Sequence, residues 1–124
     1  MRHRKGIAKL GRPTDQRLAL VRGLVSSLFM HGHIETSLAR CKSVQSLSER
    51  LITKAKRGTL ADLRQVARHL YGKRPFTALM NNVVPAAKNR ASGYTKVVRV
   101  QRRRGDGSVI ARLSVIGYPD ETAE

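Results

Sequence analysis

The sequence predicts an α+β protein. About four helices pack in two layers on a small sheet of two or three strands, and an extended basic arm comes first. Three observations lead there. Apolar residues recur at helical spacing from residue 18 to the mid-eighties. Beyond residue 93 the period falls to two, with Asp106-Gly107 between two strand-like runs. The first 13 residues show neither period. Residues 1–13 are therefore read as arm, 14–119 as one compact domain, and 120–124 as an acidic tail.

The arm contains Arg2, Arg4, Lys5, Lys9 and Arg12, with His3 among them and no acid. Gly6, Gly11 and Pro13 interrupt it. Such a segment cannot bury enough apolar surface to offset its ordering entropy, so alone it is expected to be disordered. A cationic arm on a folded body suits a polyanion.

After Pro13, Thr14 or Asp15 is the expected cap of a first helix, whose stripe is Leu18, Val21, Leu24, Val25, Leu28 and Phe29. Gly32 stops it. Residues 33–35 read as an extended link and a candidate third strand, since two strands alone are marginal. Thr36 is the expected cap of a long second helix bearing Leu38, Cys41, Val44, Leu47 or Ser48, Leu51, Ile52 and Ala55. Lys54, Lys56 and Arg57 suit the negative end of its dipole, and Gly58 ends it. Thr59 caps a third helix, with Asp62 at the capping-box position. Its face is Leu60, Leu63, Val66, Ala67 and Leu70, and Gly72 is its expected stop. Residues 76–84 predict a fourth helix ended by Pro85. Residues 94–101 and 109–116 then predict a hairpin closed around Arg104-Gly105-Asp106-Gly107.

The 124 residues carry 25 Lys and Arg against 8 Asp and Glu, a formal charge of +17. Three of those acids, Asp120, Glu121 and Glu124, fall in the tail. Nucleic acid is the default partner for so basic a chain. Cys41, the single cysteine, excludes an intrachain disulfide and a cysteine cluster for zinc. No apolar run approaches a bilayer span, and no signal-peptide h-region opens the chain. A soluble, intracellular protein is expected, with no membrane partner.

The cations are spread over arm, first helix and hairpin. A DNA reader would more typically concentrate them on one helix for the major groove. The scarcity of aromatics argues against a sheet or barrel that stacks single strands, so recognition is expected by phosphate and shape. The spacing of His31 and His33 is too unspecific for a metal site. Arg104-Gly105-Asp106 is read as turn chemistry, and Cys41 as a small core residue. No Ser-His-Asp, P-loop or dinucleotide pattern occurs. No enzyme activity, cofactor, metal or small-molecule substrate is expected.

Taken in order, several stretches are specific. They are Met1-Arg2-His3-Arg4-Lys5, Leu10-Gly11-Arg12, Asp15-Gln16-Arg17-Leu18-Ala19-Leu20, His33-Ile34-Glu35-Thr36-Ser37, Leu51-Ile52-Thr53-Lys54-Ala55-Lys56 and Gly93-Tyr94-Thr95-Lys96. Over nearly its whole length the chain resembles the bacterial-type large-subunit ribosomal protein seventeen family. The resemblance implies a two-layer fold in the order helix, strand, several helices, strand pair. It also implies binding to large-subunit ribosomal RNA, with the N-terminal segment penetrating RNA. It implies neighbouring large-subunit proteins and a place near the exit of the peptide tunnel, in a cytoplasmic or organellar ribosome. Ser37, Cys41, Ser92 and Lys96 depart from the family pattern, and Lys96 lacks the forked geometry of the Arg common there. The tail after Pro119 goes beyond the usual family end and is expected to be disordered.

The expected RNA-contacting residues are Arg2, His3, Arg4, Lys5, Lys9, Arg12, Arg17, Arg22, Tyr94, Lys96, Arg99, Arg103 and Arg104. The rival reading is a nucleoid-type DNA-architectural protein, which shares the charge. A nuclease or RNA-modifying enzyme would need an acid–base or metal cluster that the sequence does not offer.

Overall fold

Helical spacing and αL glycines set the first half of the chain. In a computed structural model that describes residue 10 and residues 13–119, α1 spans Thr14–His31 and buries Val25, Leu28 and Phe29. Its N-cap is Pro13, not Thr14 or Asp15, and no side chain caps it. Proline's fixed φ and missing N–H suit the start of a helix, so Thr14 is drawn inside. Leu18, expected in the stripe, is 47% exposed because the core ends before the first turn of α1. Gly32 takes φ 83° and donates its N–H to the Leu28 carbonyl at 2.7 Å. A residue with a Cβ is strained in that conformation.

The candidate link is a strand, β1 (His33–Ser37), followed at once by α2 (Leu38–Arg57). Ser37, not Thr36, is the N-cap of α2. Thr36 is held in the strand by its pairing with Ala111, a long-range partner that local sequence does not reveal. α2 buries Cys41, Val44, Ser48, Leu51, Ile52 and Ala55, as its stripe predicts. Gly58 ends it with φ 71°.

Thr59 caps α3 (Leu60–Arg68), its hydroxyl oxygen accepting from the Asp62 N–H at 3.2 Å. The expected face is only partly used. Val66 and Leu70 are buried, whereas Leu60 and Ala67 are exposed. α3 leans on α2 along one narrow line, which Lys54 Nζ reinforces with a bond to Gln65 Oε1 at 2.8 Å. Gly72 does not stop α3. With φ 87°, it is the N-cap of α4 (Lys73–Ala78).

The fourth helix is longer than its sequence predicts. A π-helical turn (Leu79–Val83) follows α4, and α5 (Val84–Ala87) continues it straight through Pro85. A proline ring clashes with the carbonyl four residues back and offers it no N–H. The wider π turn directly before Pro85 absorbs both effects. Leu79, Val83 and Ala87 stay buried along this rod.

β2 (Thr95–Arg102) and β3 (Val109–Val115) form the expected hairpin. The sheet is fully antiparallel in the order β1-β3-β2, so the third strand is present and β3 is central. Ala111, Leu113 and Val115 point into the helices and are buried. Ile34 and Val97 flank Leu113 in register. A bulge lies between Arg99 and Gln101. The expected arm and acidic tail lie outside the described residues, apart from Leu10 and Pro13.

Candidate nucleic-acid interface

Of the expected contact residues, Arg2, His3, Arg4, Lys5, Lys9 and Arg12 lie outside the described residues. Six of the other seven fall into two groups, and Tyr94 stands apart. Arg17 and Arg22 are on α1, five residues apart and therefore on different faces. Arg17 is half-buried, and its Nη2 reaches the Thr14 hydroxyl at 3.4 Å. Arg22 is also half-buried, and its Nε is enclosed with no hydrogen-bond partner among the described residues.

Lys96, Arg99, Arg103 and Arg104 are exposed along β2 and the hairpin. Here the chain closes through a four-residue loop, with the Arg103 N–H donating to the Ser108 carbonyl at 2.8 Å. Arg103 is partly engaged, because its Nη2 pairs with Asp106 Oδ2 at 2.5 Å. That bond, with the Ser108 N–H, holds the Asp106 carboxyl well below the usual carboxylate range. The Arg104-Gly105-Asp106 tripeptide is thus hairpin chemistry, as its sequence suggests. Arg104 carries the free charge at the tip.

Tyr94 requires a correction. It is 2% exposed, and its hydroxyl donates to the Ala91 carbonyl at 2.8 Å. Lys56 Nζ sits 4.8 Å from the ring centroid, 3.3 Å from that hydroxyl, and close to the Arg90 carbonyl. Tyr94 is a packing residue that seats the entry to β2. An aromatic after a glycine reads equally as surface or core, and burial decides it.

Sequence reasoning named Lys96 but missed the rest of the outward face of the sheet. In register, His33, Ser114 and Lys96 form one cross-strand row, and Glu35, Arg112 and Val98 the next. A broad groove of about 1000 Å³ runs over this face, from Met30 and His31 at the end of α1 to Tyr118 and Pro119. The alternation of Arg112 with buried Ala111 and Leu113 was the available signal. Arg102 adds exposed charge on the same hairpin, and Lys88 is exposed at the end of α5.

Two polar joints hold these surfaces in place. Glu49 on α2 accepts from the backbone N–H groups of Tyr94 and Thr95 at 3.1 and 3.0 Å, and from the Thr95 hydroxyl at 2.7 Å. The Tyr118 hydroxyl lies 2.8 and 2.9 Å from the Phe29 and Met30 carbonyls and accepts from Asn82 Nδ2 at 3.2 Å. Among the described residues no group of three His, Cys, Asp or Glu could hold a metal ion, and no helix is long and apolar enough to cross a membrane.

The geometry therefore defines a class: a strongly basic α+β body that offers fixed, outward-facing cations. A family model described as ribosomal protein L17 matches residues 20–116. Large ribosomal subunit protein bL17 of Clostridium perfringens is 44% identical over 111 residues, covering 90% of this chain and 98% of that protein. The same-named protein of Clostridium acetobutylicum is 44% identical over 111 residues, covering 90% of this chain and 97% of that one. The chain belongs to the ribosomal protein L17 family.

Proposed function

We propose that this protein is a structural, non-catalytic constituent of the large ribosomal subunit that binds and stabilises its RNA by phosphate and shape recognition. The observation that carries the reading is the charge arrangement. The chain has a formal charge of +17, and the described residues contain one salt bridge, between Arg103 and Asp106. Most cations of the described body are thus exposed and not paired with a described acid, which leaves them available to a polyanion. Family membership supports ribosomal RNA among polyanions. The relatives' shared name adds the large subunit.

Arg2, His3, Arg4, Lys5, Lys9 and Arg12 thread between RNA helices and neutralise phosphates. Arg17 and Arg22 extend that contact onto α1. Lys96, Arg99, Arg103 and Arg104 make the second contact along the hairpin, and neighbouring large-subunit proteins complete the surroundings. On this reading the protein works in a cytoplasmic or organellar ribosome, near the exit of the peptide tunnel.

The test is incorporation. Full-length protein should co-sediment with large subunits through a high-salt gradient, and a variant lacking residues 2–12 should incorporate poorly. Normal assembly of the truncated protein would refute the role of the arm. Competition at fixed salt addresses the DNA-architectural rival: equal affinity for duplex DNA and ribosomal RNA would favour it.

A further inference from the structure

Tyr71 has no part in the contacts described so far, yet it is 53% exposed and firmly held. Its backbone N–H donates to Ser26 Oγ at 3.1 Å, and its hydroxyl donates to the Ala19 carbonyl at 3.3 Å. A Cβ built on Gly23 would stand 3.7 Å from its Cε2. Ala19, Gly23 and Ser26 occupy one face of α1 at helical spacing. The ring therefore lies along that face, tied at both ends, with much of its surface open to solvent.

A single exposed aromatic has no meaning by itself. Here its surroundings add a second observation. Arg22 follows Ala19 by three residues on the same face, and its Nε is enclosed without a partner among the described residues. Lys73 and Arg74 lie two and three residues beyond Tyr71 in the chain and are exposed, as is Arg68 three residues before it. Leu18, one turn before Arg22, is 47% exposed. A fixed π face bordered by cations matches a nucleotide, which offers a flat base and a phosphate together. A protein neighbour would have to bring both an apolar side chain and several acids.

We propose that Tyr71 is a stacking platform for one unpaired nucleobase of the bound RNA, with Arg22, Lys73 and Arg74 receiving the phosphates beside it. This rests on the RNA-binding reading above and adds a base contact to what is otherwise phosphate and shape recognition. Rigid mounting lowers the entropy lost when the base docks.

The test uses full-length protein and large-subunit ribosomal RNA. Tyr71→Phe keeps the ring and should bind within a few-fold of wild type. Tyr71→Leu, shown to be folded by circular dichroism, should bind roughly tenfold more weakly, the loss expected for one base stack. Its salt slope should not change, because no phosphate contact is removed. Tyr71→Trp introduces tryptophan into a chain that has none, and its fluorescence should be quenched when the RNA is added. Wild-type affinity in Tyr71→Leu, or unchanged emission in Tyr71→Trp, overturns the proposal. So does a Tyr71→Leu defect seen only in subunit assembly and not with the naked RNA, which would make the patch a protein contact. Failure of the wild-type protein to prefer ribosomal RNA over duplex DNA would instead sink the RNA-binding reading itself.

Discussion

At the residue scale, two positions show how little local sequence says about long-range contacts. Gly32 looks like an ordinary helix stop, and it is one. It is also where the Tyr118 ring returns against α1, so a Cβ there would stand 2.7 Å from Cγ and 2.9 Å from Cε1 of that ring. Gly32→Ala therefore combines an unfavourable φ of 83° with a collision against a ring that three hydrogen-bond partners hold. Its expected cost is about 2–4 kcal/mol, read as a fall in Tm against wild type. Cys41 fits its sequence reading as a small core residue. It is fully buried, and its thiol lies 3.5 Å from the Ala111 carbonyl and 3.8 Å from that of Thr36. Burial pushes the thiol pKa above its ordinary 9.0, so the folded state favours the protonated form. The stability linked to it is complete below the unfolded value and fades as pH rises through the folded one. A thiol-specific disulfide reagent should react with Cys41 only after denaturation. Rapid labelling of native protein at neutral pH would contradict the burial.

At the element scale, α1 and α2 are the most legible parts of the fold, because each buries a wide stripe at regular spacing. The misread boundaries share one physical cause, which is information from outside the local window. Thr36 is a good cap in isolation, but β1 runs on to Ser37 because β3 pairs with it there. Pro85 is a good stop in isolation, but a helix can pass it by widening to a π turn where Leu79 and Val83 have core to bury. The joint between α2 and β2 was equally hidden. Glu49 is one polar residue within a helix, and its partners lie 45 and 46 positions ahead. Glu49→Ala removes the charged acceptor from two backbone N–H groups and the Thr95 hydroxyl. The expected loss is about 2 kcal/mol, since partial exposure lets water refill part of the site. Chemical denaturation should show it as a lower midpoint with an unchanged slope. Glu49→Gln should recover part of it, because the amide oxygen can still accept one bond. Of the candidate interface, the hairpin cations were legible as a run of charge after a strand. The two cross-strand rows that join Lys96 to His33 and Arg112 to Glu35 were not, because they exist only once three strands are in register.

At the scale of the whole molecule, charge dominates. The +17 chain holds itself together with one salt bridge among the described residues, and that bridge lies at an exposed hairpin tip. Its stability therefore comes from the apolar core between helices and sheet, while like charges on the surface oppose compaction. Two consequences run in opposite directions as salt is raised. Screening weakens the self-repulsion, since the Debye length falls to about 10 Å at 0.1 M, so the free protein should melt at a higher temperature in moderate salt than in low salt. Binding to ribosomal RNA releases counterions, so affinity should fall steeply over the same range, by roughly a thousandfold or more between 50 and 200 mM if about six phosphates are contacted. A protein held together by ion pairs would lose both stability and affinity with salt. Thermal melting of the free chain and filter binding of the RNA complex, run in one series of sodium chloride concentrations, separate the two cases. A rising Tm with a falling affinity marks a fold whose surface charge is reserved for a partner. A Tm that falls with salt would mean that internal ion pairing, not the core, stabilises the body.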